Sequence, residues 1–313
     1  MNTAERIRRI APARTRYIKL GEGGAWEQEC VRDGIIRFSF GTGRAHLFSL
    51  CVGGTWGQAR GVWMADGRDA ATATRFANES RMFFEDDGAT LWVTFHGETL
   101  WWAFLEPGQP TPYTDQHSVT RRVVGAWCCM DINGEQLTRD RLSGSVNKLS
   151  AYRGTSCSID VEDYLVRRIN GEKTPEVERA IAALESMRAS ALDLMRLLGP
   201  RDFETLVDLV FSTSGWRRQG VIGKTQKTLD LDLMLPSTGE RAFVQVKSRT
   251  DSAELASYVA QLDSLGPHDR MFYVFHTGDP STDDERVTLV GPECLAELVV
   301  DAGLVEWLLR KVS

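Results

Sequence analysis

Through the first half of the chain, apolar residues come in short runs broken by glycine, at the spacing of strands. The runs cover residues 34–40 (GIIRFSF), 46–54 (HLFSLCVGG), 89–95 (ATLWVTF), 99–105 (TLWWAFL) and 121–134 (RRVVGAWCCMDING). Alternation with a period of two, or a brief apolar run bounded by turn residues, predicts β-strands. Trp26, Trp56, Trp63, Trp92, Trp101, Trp102 and Trp127 fall in the same stretch, which leaves only Trp216 and Trp307 for the rest. A β-rich domain is therefore predicted over residues 1–160.

Near residue 160 the period lengthens to that of a helix. Residues 162–170 make a short helical pattern that ends at Gly171. Thr174, Pro175, Glu176 and Glu178 then supply a hydroxyl cap, a first-turn proline and acids at the positive end of a helix dipole. Val177, Ile181, Leu184, Met187, Ala191, Leu194 and Leu198 recur at helical spacing until Gly199 and Pro200 stop the run. Residues 161–198 are predicted to be a helical connector that packs its apolar stripe against a neighbour. Beyond it the pattern alternates: helix at 202–214, strands at 227–235 and 241–248, helix at 252–265, strands at 270–276 and 286–290, helix at 294–312. That order predicts an α/β domain over residues 199–313, a mixed sheet flanked by helices.

The strand pair concentrates the chemistry. Leu229, Leu231, Leu233 and Leu235 share one face of the first strand, with Asp230 and Asp232 on the other. In the second strand Val244 and Val246 share a face, and Gln245 and Lys247 take the opposite one. Folding the hairpin about Thr238 and Gly239 sets Asp232 across from Gln245 and Leu233 across from Val244, so that like faces coincide. In a sheet covered on both sides, polar side chains are costly unless a partner or a metal meets them. Asp232, the side-chain oxygen of Gln245 and the backbone carbonyl of Val246 are then oxygen donors for Mg2+, with Mn2+ as a substitute. Magnesium takes octahedral oxygen at about 2.0–2.1 Å and retains several waters, so few protein ligands suffice. Lys247 would orient the attacking water or offset charge developing on a phosphate, which makes Asp232, Gln245 and Lys247 the expected catalytic set for phosphodiester hydrolysis.

Composition narrows the setting. The 313 residues exceed one ordinary core, and 42% hydrophobic with 26% charged residues is the balance of a soluble globular chain. No apolar run approaches the roughly 20 residues that span a bilayer, and the basic start lacks the apolar core of a secretory signal. A cytoplasmic location is expected. The six cysteines show no paired-ligand spacing, which predicts reduced thiols and no structural zinc. The net charge of −6 excludes a generally basic coat but leaves room for a local basic stripe. Arg6, Arg8, Arg9, Arg14 and Arg16 form one such cluster and Arg121 with Arg122 another; Arg217, Arg218, Lys224 and Lys227 flank the chemical hairpin and are the expected DNA-backbone contacts.

Asp232 with Gln245-x-Lys247 resembles the half-motif of the PD-(D/E)xK nuclease superfamily, and its glutamine variant is similar to the Mrr-type restriction endonucleases of type IV. In that family a helix with a phenylalanine–glutamate pair precedes the hairpin and ends at a glycine–aromatic; Phe203, Glu204, Gly215 and Trp216 stand in those places. The resemblance implies a restriction-endonuclease-like fold over residues 199–313, with Glu204 facing the site and Asp208 a further acid one turn on. Leu231 departs from the family's small residue before the metal aspartate, which makes Asp230 a rival ligand.

The first half is similar in texture to the PUA-like barrels, the group of EVE, YTH and SRA domains that read modified or flipped bases. That likeness implies a reader domain whose walls would be Trp26, Trp56, Trp63 and Trp102, each stack being worth about 1–3 kcal/mol. For any one tryptophan, filling the core is the commoner use. Asp131 and Asn133 read more naturally as a turn than as base-edge contacts, and the spacing of His96 and His117 fits no recognisable catalytic motif. Together the resemblances imply a modification-dependent DNA endonuclease, acting on double-stranded DNA as a homodimer because each chain carries one site. An immune effector nuclease gated by a nucleotide signal, and a non-catalytic DNA-binding protein on a nuclease scaffold, remain alternatives.

Overall fold

The computed structural model describes residues 8–39, 45–114, 117–219, 230–262 and 268–313. It divides into two units, residues 1–173 and 174–313. The expected connector is split between them: its first helix packs Leu165 and Ile169 into a core of the first unit, whereas its long helix buries Ala191 and Met195, with Leu198 just beyond it, in the second.

The first unit runs β1 (Arg14–Ile18), α1 (Glu27–Asp33), β2 (Ile35–Ser39), α2 (Ala45–Val52), α3 (Trp56–Ala65), α4 (Ala70–Phe84), β3 (Thr90–His96), β4 (Thr99–Ala103), β5 (Thr111–Pro112), β6 (Ser118–Arg122), α5 (Gly144–Asn147), β7 (Ser156–Ser158) and α6 (Glu162–Ile169). Its strands form two open sheets, ordered β4-β3-β1-β7 and β2-β6-β5. Among the described residues neither sheet closes on itself, so the PUA-like barrel is not supported, and the unit is mixed α/β where a β-rich domain was expected.

The difference lies in three helices. Residues 46–54 form most of α2, because Leu47 and Cys51 bury one helical turn apart, a spacing that a short apolar run does not distinguish from a strand. In α3, Ala59 and Trp63 repeat that spacing. In α4, Ala73 and Ala77 do so again behind Asp69, whose carboxylate caps the backbone N–H groups of Ala71 and Thr72. After β6 the run to residue 134 continues as isolated bridges, Leu105 with Val123, Trp102 with Cys128 and Met130 with Gln136.

The second unit runs α7 (Pro175–Arg196), α8 (Pro200–Thr213), β8 (Arg217–Arg218), β9 (Leu231–Met234), β10 (Arg241–Lys247), α9 (Ser252–Val259), β11 (Arg270–Phe275), β12 (Val287–Val290), α10 (Pro292–Asp301) and α11 (Val305–Val312). The sheet order is β12-β11-β10-β9-β8. Strands β10, β11 and β12 are parallel, while β9 runs antiparallel to β10 and β8 antiparallel to β9. One face, with Leu231, Leu233, Val244, Val246 and Val274, packs against α7, α8 and α10. The other, with Phe243, Tyr273 and Phe275, packs against Leu255 of α9. The stripe of α7 is buried from Ala191 onward, but Val177, Ile181, Leu184 and Met187 stay exposed. Among the described residues no helix is long and apolar enough to cross a membrane.

Candidate active site

The turn between β9 and β10 fixes which residues meet. Leu235 N–H bonds the Glu240 carbonyl at 2.9 Å, and Gly239 N–H returns to the Leu235 carbonyl at 2.9 Å. Pro236 fixes its own φ after the last paired residue, and Gly239 takes φ +76°, a value that side-chain-bearing residues rarely adopt. The loop therefore spans residues 236–239, and the strands pair Asp232 with Phe243 and Leu231 with Val244. The expected partner of Gln245 was Asp232; the same register continued by one residue gives it Asp230. The polar and apolar faces are as expected, but the partners are displaced by two residues.

Asp230 is the acid that reaches Gln245. Its Oδ2 accepts from Gln245 Nε2 at 2.6 Å and from Val246 N–H at 2.7 Å, while Oδ1 makes no hydrogen bond among the described residues. Burial pushes the Asp230 carboxyl above the usual carboxylate range, with the Val246 N–H and the Lys247 charge partly offsetting it. Gln245 is 4% exposed, and its Oε1 is buried with no partner among the described residues. The bond to Asp230 settles the amide's orientation, since only the NH2 end can donate to a carboxylate. A strand residue's carbonyl points the same way as its N–H, so the Val246 carbonyl opens on the side of Asp230.

Lys247 follows two residues on and points the same way as Gln245, toward α9. Its Nζ lies 2.8 Å from Glu254 Oε1 and 5.0 Å from the centre of the Tyr258 ring. Burial pulls the ammonium's pKa down, but the hydrogen bonds to Glu254 and Tyr258 outweigh it and hold the value above the ordinary one. Asp232, by contrast, is engaged elsewhere: Oδ1 meets His268 Nε2 at 3.2 Å and Oδ2 meets Arg241 Nη2 at 3.4 Å.

The remaining expected site residues fall as follows. Glu204 is exposed on α8 and makes no hydrogen bond or ion pair among the described residues. Asp208, one turn on, pairs with Arg218 at 3.6 Å, and Arg218 donates to the Asp230 backbone carbonyl at 3.4 Å. Arg217 and Arg218 are exposed on β8, while Lys224 and Lys227 lie outside the described residues. Glu254 and Tyr258 were not anticipated. Asp251 and Glu254 carry the spacing of a capping box, which explains the start of α9 but hides a second use for the glutamate.

The four reader tryptophans are not gathered around one pocket. Trp63 and Trp102 are core residues, Trp102 donating to the Met130 carbonyl at 2.9 Å. Trp26 carries the Arg37 guanidinium 4.0 Å from its ring centre, and Trp56 donates to Glu85 at 2.6 Å. Trp63 does border a cavity of about 50 Å³ with Phe38, Phe76 and Glu79, but none of the other three lines it. A cavity of about 150 Å³ is what accommodates benzene, so this one is too small for a base as it stands. Asp131 accepts from the backbone of Asn133 and Glu135, both at 2.9 Å, and so forms a turn.

Among the described residues no three His, Cys, Asp or Glu side chains cluster as metal ligands. The oxygens that Asp230 Oδ1, Gln245 Oε1 and the Val246 carbonyl offer suit a hard cation that keeps its own waters.

No family model matches the chain, and no curated protein matches it. Among solved structures it is similar to the MspJI restriction endonuclease in complex with a 27-mer oligonucleotide, at 13% identity and a TM-score of 0.24 over 72% of this chain. This chain spans 64% of that one, and a similarity of that score does not define the fold.

Proposed function

We propose that the protein is a magnesium-dependent DNA endonuclease whose cutting is licensed by a modified base. The observation that carries the nuclease reading is the buried Gln245 amide, with its NH2 end spent on Asp230 and its oxygen left without a partner among the described residues. A buried acceptor of this kind costs about 1–3 kcal/mol and is kept only where something supplies the missing contact.

Asp230 would supply the charge for a bound Mg2+, with the Gln245 and Val246 oxygens as neutral donors. When bound, such a cation polarises a phosphoryl oxygen and lowers the pKa of a coordinated water. Asp230 also fixes the Gln245 amide through its NH2 end, so that the buried oxygen is the end left for a ligand. Lys247 keeps its proton at neutral pH and stands ready to offset charge developing on the phosphate. Arg218, which pairs with Asp208 and bonds the Asp230 carbonyl, would take a neighbouring backbone phosphate. Cutting both strands with one site per chain requires two copies, and the first unit is assigned the reading of the modified base.

The test is cleavage of methylated, hydroxymethylated and unmodified duplexes with Mg2+, with Mn2+ and with chelator, beside Asp230→Ala and Asp232→Ala. The expected result is selective cutting of a modified duplex that disappears with Asp230→Ala. Equal cutting of all three duplexes removes the reader. Cutting that survives Asp230→Ala removes the site.

A further inference from the structure

The start of α9 contains a glutamate that does not do what its position prescribes. Asp251 caps the helix by accepting from the Glu254 backbone N–H at 2.8 Å. In a capping box the glutamate at this position reaches back to the N–H of the capping residue. Glu254 instead extends to the Lys247 ammonium at 2.8 Å. Tyr258, one turn further along α9, places its ring 5.0 Å from the same nitrogen. Leu255 anchors the helix in the core between them, so the two groups are fixed relative to the sheet.

We propose that Glu254 is the positioning residue for Lys247, holding the ammonium against α9 in the free protein so that it meets a phosphate already oriented. This rests on the nuclease reading of the same site. The lysine stem has four rotatable bonds, and an unheld ammonium would sample many positions at an entropic cost on each encounter with substrate. The pair is only partly screened, with side-chain exposures of 24% for Lys247 and 36% for Glu254. Tyr258 closes the ring side, where a cation over an aromatic face gains further attraction. Asp251 retains the cap by itself, so losing the Glu254 carboxylate leaves α9 capped.

Full-length wild type, Glu254→Gln and Glu254→Asp are compared by two readouts. The first is NMR of lysine labelled with 13C at Cε, with Lys247 assigned by Lys247→Arg. The two Hε protons of a held side chain are inequivalent and those of a free one average. The second is Mg2+-dependent cleavage of duplex DNA, with kcat and KM separated. The expected result is averaged Hε signals in Glu254→Gln, kcat lower by at least about tenfold at unchanged KM, and partial recovery of both in Glu254→Asp. Lys247 signals unchanged by Glu254→Gln overturn the proposal whether or not DNA is cut. Freed signals with unchanged kcat also overturn it, because the hold would then have no catalytic use. If wild type cuts no duplex, the nuclease reading fails by itself, and the NMR arm still decides whether Glu254 holds the lysine.

Discussion

Replacing Asp230 by asparagine separates the folding use of that side chain from the proposed catalytic one, because the two should change in opposite directions. Both of its hydrogen bonds fall on one oxygen, from Gln245 Nε2 and from Val246 N–H. Asp230→Asn keeps an oxygen in that place and loses only the charge. Asp230→Ala leaves two buried donors without an acceptor, at about 1–3 kcal/mol each, or roughly 2–6 kcal/mol together. Burial raises the Asp230 pKa, so ionisation opposes folding. The folded protein binds the proton more tightly than the unfolded chain does. Its stability therefore falls as pH climbs from the ordinary aspartate value through the raised one, and stays at the lower level above it. Asparagine has no such loss, and at neutral pH without metal it should be at least as stable as wild type.

Hydrogen exchange of the β10 amides in the full chain reads this directly, since the Val246 N–H is one of the bonded groups. Asp230→Asn should protect the strand at least as well as wild type, while Asp230→Ala should lower protection by about 2–6 kcal/mol. Adding Mg2+ should then reverse the ranking. A ligand at ten times its Kd stabilises the form that binds it by about 1.4 kcal/mol, and only wild type retains the charged donor. Asparagine as destabilising as alanine would refute the burial argument. Equal protection of wild type and Asp230→Asn by Mg2+ would place the cation elsewhere.

Three further outcomes follow from the same geometry. Lys247→Ala should lower kcat by about 10²–10³ while leaving DNA affinity in Ca2+ nearly unchanged, since the ammonium's work is on charge that develops during reaction; a loss confined to KM would reassign it to binding. Arg218→Ala should weaken DNA binding alike for all sequences and reduce the slope of log affinity against log salt by about one contact; an unchanged slope would mean that Arg218 serves only its bonds to Asp208 and the Asp230 carbonyl. In the first unit, Trp92 is fully buried and donates to Asp86 at 2.7 Å. Trp92→Phe should lower exchange protection of β3 by about 1.5–3 kcal/mol, the worth of a hydrogen bond to a charged acceptor, and a change under 0.5 kcal/mol would show the bond to be dispensable.

The second unit was largely legible because its signals are periodic and long. Alternation marked β9 and β10, Gly215 marked the end of α8, whose expected start at residue 202 falls two residues after the observed one at Pro200, and the apolar run around Phe272 marked β11. The first unit was less so. Its helices α2, α3 and α4 bury small or aromatic residues one turn apart, as Ala59 with Trp63 and Ala73 with Ala77, and such sparse repeats resemble broken strands. One local sign was present in Asp69, a side-chain cap before a long alanine-rich segment. The exposed half of α7 is a different case: helical spacing reports which residues share a face, not whether anything covers it.

The displaced partner of Gln245 has a sharper cause. Faces in a hairpin repeat every two residues, so pairing with Asp230 and pairing with Asp232 match apolar to apolar equally well. Hydrophobic pattern therefore cannot choose between them, and the choice falls to the loop. A turn on Thr238 and Gly239 alone would select Asp232; Pro236 and Gly239 together make the longer loop that selects Asp230. The outcome also divides labour between the two acids. Asp232 has each oxygen engaged, one by His268 and one by Arg241, and so serves to bind the strand to its surroundings. Asp230 stacks both its bonds on one oxygen beside an amide whose own oxygen has no partner among the described residues. Capacity left unspent in a buried place is what a ligand site requires, and on that ground the role expected of Asp232 is proposed for Asp230 instead.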